Sequence, residues 1–327
     1  MKKLLCLVFV VLSFAVINTG CGDTGEKEDK ITIAVIPMGT THEFWKSIHA
    51  GAVTASRELG GVDIIWNGPL KEDDRDEQIQ IVETFISAGV DAIVISPMDD
   101  RTLMRPIREA KNRGIPTILV NSGLQGDYHA AYVATDNFNG GALGAERMGE
   151  LMNGIGKLII VRLSEADVTT NIRVDGFKTT ITSKFPEIEI ISDNQYAGVT
   201  TETAYQTCEN LLNRFTEAGA IFTPNESSTF GCLRALQDRG LAGKIFFVGF
   251  DSSVKLIEAM KKNEIHGLVI QNPFKMGYDG VITAISHLNG DPYDKRIDTG
   301  VTIATPENMH YPEIMKLLSP DLSILNE

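Results

Sequence analysis

Four consecutive residues, His42-Glu43-Phe44-Trp45, follow a β-branched run across a short loop and set two aromatic rings side by side. Aromatic rings pack on the apolar C–H faces that sugars present, and the hydroxyl edges of such a ligand then need hydrogen-bonding groups. Candidates for that second task stand at the ends of later apolar runs: Asn121 and Ser122 after PTILV, Asn225 after AIFTP, Asp251 after KIFFVGF, and Gln271 within HGLVIQNP. Asparagine donates and accepts and ionised aspartate only accepts, so together they can read both faces of a hydroxyl. The plainer uses stay open: Asn and Asp also cap helices and form turns after strands, and one ring can simply belong to a core.

Bond-making chemistry finds no support. A phosphate loop would need Gly at position 151 before Gly156-Lys157, and that residue is Leu151. No Gly-x-Ser-x-Gly follows a strand, the six histidines are scattered without metal-ligand spacing, and no CxxC occurs. Gly140, Gly141 and Gly144 lack dinucleotide spacing, so close helix packing is their expected use. Neither catalytic residues, cofactor nor metal is expected. The run Glu72, Asp73, Asp74, Asp76, Glu77 reads as carboxylates gathered at a positive helix start, since a calcium loop would need a glycine and a spacing that are missing. Trp66-Asn67-Gly68-Pro69 reads as a turn.

Strand-end residues can meet only if the strands run parallel to one edge. Short runs that are apolar on both faces, ITIAVI, VDIIW, DAIVIS and PTILVN, alternate with helical patterns over 43–59, 74–87 and 103–112. A second series, KLIIVRL, EIEIIS, AIFTP and KIFFVGF, alternates with helices over 173–184, 201–215 and 227–239. The expected fold class is α/β, with two doubly wound parallel-sheet lobes. A folded body of roughly 300 residues exceeds what one core usually serves. A helical pattern over 276–288 and a polar turn into a terminal strand can carry the chain back and forth between lobes. The expected lobes are 31–135 plus about 273–299, and about 136–272 plus 300–327; no Pro/Gly/Ser-rich linker near Thr135 separates them, so a multi-crossing hinge is expected. In such sheets ligands sit outside the carboxyl ends of the strands.

The amino terminus sets the compartment. Lys2 and Lys3 precede an apolar run ending in Asn18-Thr19-Gly20, the pattern of a signal peptide over 1–20. The run falls short of the ~20 apolar residues a spanning helix needs. Cys21 directly after the small pair resembles the lipidated cysteine of a bacterial lipoprotein, although Asn18 stands where that pattern prefers Leu. The following GDTGEKEDK has no apolar residue, so 21–30 reads as a tether anchored to the membrane through Cys21. The net charge of −13 becomes about −15 once the two lysines leave with the signal, and no Lys/Arg cluster offsets it, so nucleic acid is not an expected partner. Cys208 and Cys232 lie in amphipathic helical patterns and read as buried thiols more readily than as a disulfide.

Five segments in order, Phe44-Trp45, R-x-x-G-F at 173–177, TPNESSTFGCLRAL at 223–236, VGFD at 248–251 and IQNP at 270–273, resemble the type I periplasmic sugar-binding proteins, the group of the ribose and galactose receptors. The resemblance covers nearly the whole mature chain. It implies two flavodoxin-like lobes joined by three crossings, and a monomer that encloses a sugar or polyol and delivers it to an ABC permease. It assigns the ligand to Arg173, Asn225 and Asp251, and position at the same mouth or at strand ends adds His42, Glu43, Phe44, Trp45, Asn121, Ser122 and Gln271 as candidates. Arg173 is expected to begin the helix after the second lobe's first strand, its planar fork suited to neighbouring hydroxyls. At Asn121-Ser122 the ribose pattern has an acid followed by arginine, so ribose itself is disfavoured. Near Val199 the family often offers another aromatic, for which Tyr196 is a substitute. The other reading the resemblance allows is a sensory receptor presenting a sugar or furanone to a membrane kinase or chemoreceptor. A transcriptional repressor of this fold would need a helix-turn-helix where this chain has a signal.

Overall fold

The computed structural model describes residues 30–326; Cys21, the signal segment and all but the last residue of the tether lie outside them. β1 (Ile31–Ile36), α1 (Glu43–Leu59), β2 (Val62–Trp66), α2 (Arg75–Ala88), β3 (Ala92–Ile95), α3 (Met104–Asn112), β4 (Thr117–Val120) and β5 (Ala131–Ala134) build a first doubly wound unit. The second comprises α4 (Asn137–Leu151), β6 (Ile155–Arg162), α5 (Val168–Lys184), β7 (Glu187–Tyr196), α6 (Thr201–Arg214), β8 (Ala220–Phe222), α7 (Glu226–Asp238), β9 (Phe246–Phe250), α8 (Val254–Lys261) and β10 (Gly267–Gln271). α9 (Pro273–Asn289), β11 (Arg296–Asp298), β12 (Val301–Ala304) and α10 (Pro312–Leu318) complete the chain.

Each lobe holds one six-stranded sheet, ordered β11-β5-β4-β3-β1-β2 and β12-β10-β9-β8-β6-β7. All the pairings are parallel except β10 with β12. Every residue of β3, β4 and β10 is buried, the result of helices covering both faces, and this is why these strands read as continuous apolar runs. Two apolar clusters flank each sheet, so the molecule has two cores. The chain passes between lobes after β5, after β10 and between β11 and β12, which are the three crossings of the fold. A final 3₁₀ turn, Ser323–Asn326, lies against α1 of the first lobe, where Arg57 Nη2 donates to the Ile324 carbonyl at 3.2 Å.

The expected glycine packing is present and repeats in both lobes. A methyl on Gly141 of α4 would sit 1.9 Å from the Arg173 carbonyl oxygen, and one on Gly176 of α5 2.1 Å from that of Phe138. Gly51 and Gly277 hold α1 and α9 together in the same reciprocal way. The α4–α5 contact fixes the backbone that carries Arg173.

Two helices start earlier than their sequence pattern predicts. α5 begins at Val168, capped by Asp167, whose Oδ1 accepts the Thr170 N–H at 2.7 Å, so Arg173 lies in its second turn and does not begin it. β-branched residues in the Val168-Thr169-Thr170 start obscure the helical pattern there. α9 begins at Pro273 behind an Asn272 cap, proline being suited to a first helical position. Cys208 and Cys232 are buried free thiols.

Candidate ligand cleft between the lobes

The carboxyl ends of both sheets face one cavity, walled from the first lobe by Met38, His42, Phe44, Trp45, Glu72 and Asn121. The second lobe contributes Leu163, Asp167, Thr169, Thr170, Arg173, Asn225, Glu226, Asp251 and Gln271. Eight of the ten residues expected from sequence are in this set. Glu43 lies in an adjoining groove with Lys46, Ser252 and Leu318, and Ser122 is buried beside the cavity, where its Oγ is 2.9 Å from Thr169 Oγ1 of the other lobe.

Arg173 is 3% exposed. Its Nε donates to Asn137 Oδ1 and its Nη1 to the Pro224 carbonyl, each at 2.9 Å, and its guanidinium lies 4.2 Å from the Phe250 ring centroid. The same Nη1 is 4.0 Å from Asp251 Oδ2. Asp251 Oδ2 accepts the Glu226 N–H at 3.1 Å and Oδ1 the Gln271 amide at 2.7 Å. A guanidinium held from several directions and a carboxylate accepting two donors are pre-set, which lowers the entropy cost of ligand capture. Gln271 is 3% exposed, and its Oε1 is buried with no hydrogen-bond partner among the described residues. A buried orphan acceptor is costly unless something else satisfies it.

Asn225 is both a cap and a cavity residue: Oδ1 accepts the Ser228 N–H at 3.3 Å at the start of α7 while Nδ2 donates to Ser227 Oγ at 2.9 Å. Trp45 is 3% exposed and belongs to the first lobe's core, its Nε1 donating to Glu72 Oε1 at 2.7 Å. Phe44, packed edge-on against Trp45 with centroids 5.0 Å apart, offers the more accessible ring. Its N–H donates to Glu226 Oε2 at 3.4 Å across the lobes, so this conformation is closed. Tyr196 is 42% exposed and away from the cavity, and Trp66 stacks on His49 at 4.4 Å.

Three cavity carboxylates escape the sequence reading. Glu72 belongs to the acidic run assigned to a helix start; Asp74 alone caps α2, accepting the Glu77 N–H at 3.1 Å, while Glu72 turns into the cavity. Asp167 becomes visible only once the cap of α5 is located. Glu226 adjoins Asn225, and an acid in a helix's first turn has an ordinary reading. His42 bridges two of them, with Nε2 3.7 Å from Glu72 and Nδ1 3.9 Å from Glu226.

Burial dominates the electrostatics. It raises Glu72 to about 7, with the Trp45 hydrogen bond opposing and the charges of Asp167 and Asp251 adding. It raises Glu226 to about 8, helped by Asp251. Asp167 and Asp251 are also raised by burial, with Arg173 opposing in both. His42 is lowered by burial and is neutral near pH 7. Among the described residues no group of three His, Cys, Asp or Glu could hold a metal ion, and no helix is long and apolar enough to cross a membrane.

Two parallel-sheet lobes, three crossings and a buried polar cavity at the strand ends define a periplasmic binding protein. The model of the periplasmic binding protein domain matches residues 33–292, and the chain belongs to that family, which implies a periplasmic location. A carbohydrate-transporter solute-binding protein from Agrobacterium radiobacter, solved with D-arabinose, superimposes with a TM-score of 0.85 at 29% identity, covering 89% of this chain and 99% of that one. A solute-binding protein from Agrobacterium vitis with bound D-fucose gives 0.85 at 30% identity, over 88% and 100% of the two chains. The D-ribose/D-allose-binding protein of Pseudomonas aeruginosa is 24% identical over 309 residues, 89% of this chain and 96% of that one.

Proposed function

We propose that this chain is the substrate-binding protein of an ABC import system and captures one sugar or related polyol between its lobes. The observation that carries this reading is the web joining Arg173, Asp251 and Gln271 on one wall of the cavity, opposite the Phe44 ring on the other. Ring contact takes a C–H face, the guanidinium fork takes neighbouring oxygens, and the orphan Gln271 Oε1 takes a hydroxyl proton.

Binding works by closure. Residues 31–135 with 273–299, and 136–272 with 300–327 apart from the last turn on α1, are the moving bodies, and the three crossings are the hinge. A ligand that touches both favours the closed form only by its differential affinity for it. The permease reads that closed form. Cys21, lipidated after removal of 1–20, keeps the protein at the membrane, and the acidic 21–30 segment is the tether.

A thermal-shift screen of the mature protein against pentoses, hexoses, polyols and cyclitols tests the reading, since a ligand that binds only the native state raises the melting temperature. At least one such compound raises it in a saturable manner; a flat response across the panel contradicts the proposal.

A further inference from the structure

The cavity wall is rich in carboxyl groups. Glu72, Asp167, Glu226 and Asp251 line it against one guanidinium, Arg173, and a neutral His42. Arg173 and Asp251 stand together as a unit, 4.0 Å apart. That leaves Glu72 and Glu226 with no arginine or lysine beside them on the wall, whereas Asp167 shares Arg173 with Asp251. Their hydrogen-bond partners are neutral: the Trp45 indole on Glu72, the Phe44 N–H on Glu226, the Thr170 N–H on Asp167.

The wall's amide donors are partly engaged, Asn225 and Gln271 each keeping one free N–H. Asn121 Nδ2 donates to Ser96 and Ser122, Asn225 Nδ2 to Ser227, and Gln271 Nε2 to Asp251. Independently of the acids, Gln271 Oε1 is a buried acceptor without a partner on the same wall. A hydroxyl brings one donor and also needs donors for its lone pairs, whereas an ammonium brings three donors and no acceptor. Near pH 7 burial leaves Glu226 largely protonated and Glu72 partly so, and a cation placed between them favours their carboxylate forms and makes charge-assisted hydrogen bonds with them.

We propose that the cleft selects an amine-bearing sugar or polyol, with the ammonium held between Glu72 and Glu226 beside His42 and the hydroxyls held by Arg173, Asp251 and Gln271. The proposal rests on the carbohydrate reading above and narrows it to a cationic subclass. Glu72 and Glu226 come from different lobes, so an ammonium between them also ties closure to the ligand's charge.

Calorimetric titration of the mature protein at about pH 7 with D-glucosamine, D-galactosamine, D-mannosamine and 1-amino-1-deoxy-D-sorbitol, each beside its neutral parent, tests it. At least one amine binds about tenfold or more tighter than its parent. In Glu72→Gln and in Glu226→Gln, each first shown by circular dichroism and melting to be folded, the ratio of amine to parent affinity falls by about tenfold. Should one variant fail to fold, the other carries the same comparison. Parents that bind as tightly as their amines, or an amine preference that survives both substitutions, overturn the amine assignment and leave the sugar reading standing. No binding by any member of any pair overturns the amine assignment and leaves the sugar reading to the wider thermal-shift panel.

Discussion

Asn121 and Asp251 occupy the same place in the two lobes. Each follows the fourth strand of its unit, each is left-handed at φ 61° and 65°, and each N–H donates to the next strand, to Val133 at 3.0 Å and Val269 at 2.8 Å. For a residue with a Cβ this conformation is uncommon, and Asn and Asp tolerate it best. Its appearance at matching strand ends facing one cavity is the pattern expected of strain held at a binding site. The Asp251 carboxylate joins Arg173 and Gln271, whereas the Asn121 amide is spent on Ser96 and Ser122. The second lobe therefore provides the arginine–aspartate pair of the site.

Replacing Asp251 with alanine leaves the Gln271 amide and the Glu226 N–H without their acceptor and Arg173 without its nearest carboxylate. Truncating one member of a buried charged network costs about 2–5 kcal/mol in binding. The affinity for whichever sugar stabilises the wild type falls by about thirtyfold or more by calorimetry; an unchanged affinity removes Asp251 from the site.

Stability without ligand follows from Glu72 and Glu226. Both are raised in the folded state, to about 7 and about 8, above the ordinary glutamate value of 4.5. Between the unfolded and folded values the folded protein binds more protons, so stability falls as pH rises through that window, by on the order of a few kcal/mol for the pair. Melting temperature declines from about pH 5 to about pH 8, and Glu72→Gln with Glu226→Gln flattens the decline. A flat wild-type profile contradicts the assignment.

Gly141→Ala drives a methyl into the Arg173 carbonyl, 1.9 Å away. Overpacking of this kind costs about 1–3 kcal/mol. A lowered denaturation midpoint comes with weaker ligand affinity, because the displaced backbone carries Arg173. A variant that loses stability while retaining full affinity would show that the helix contact does not position Arg173.

Ser122 acts in closure. Its Oγ meets Thr169 Oγ1 across the lobes at 2.9 Å. Ser122→Ala removes a hydrogen bond worth about 0.5–1.5 kcal/mol from the closed form. The radius of gyration by X-ray scattering, at subsaturating ligand, shifts towards the open value; no shift places Ser122 outside the closure contacts.

Fold and site differ in how far the sequence exposes them. Strands such as PTILV and KIFFVGF are covered by helices on both faces, so burial writes itself as unbroken β-branched and aromatic runs, and the two-lobed architecture follows. Asn225 and Asp251 are legible because short polar residues interrupt those runs at strand ends, and Arg173 through the R-x-x-G-F pattern. Trp45, by contrast, is largely a core residue, which adjacency to Phe44 does not reveal. Glu72 sits in a charged run, and only tertiary packing separates it from Asp74, which caps α2. Glu226 and Asp167 hide for a related reason: an acid at a helix start has a local use, and its second use depends on the other lobe closing over it.

The central claim is that one sugar-like molecule is enclosed between the lobes by groups from both. A crystal structure of the mature protein with the compound that most raises its melting temperature tests this most directly. The account predicts a single ligand against the Phe44 ring, hydrogen-bonded to Arg173, Asp251 and Gln271. A ligand seated outside that cavity, or one touching a single lobe only, would contradict it.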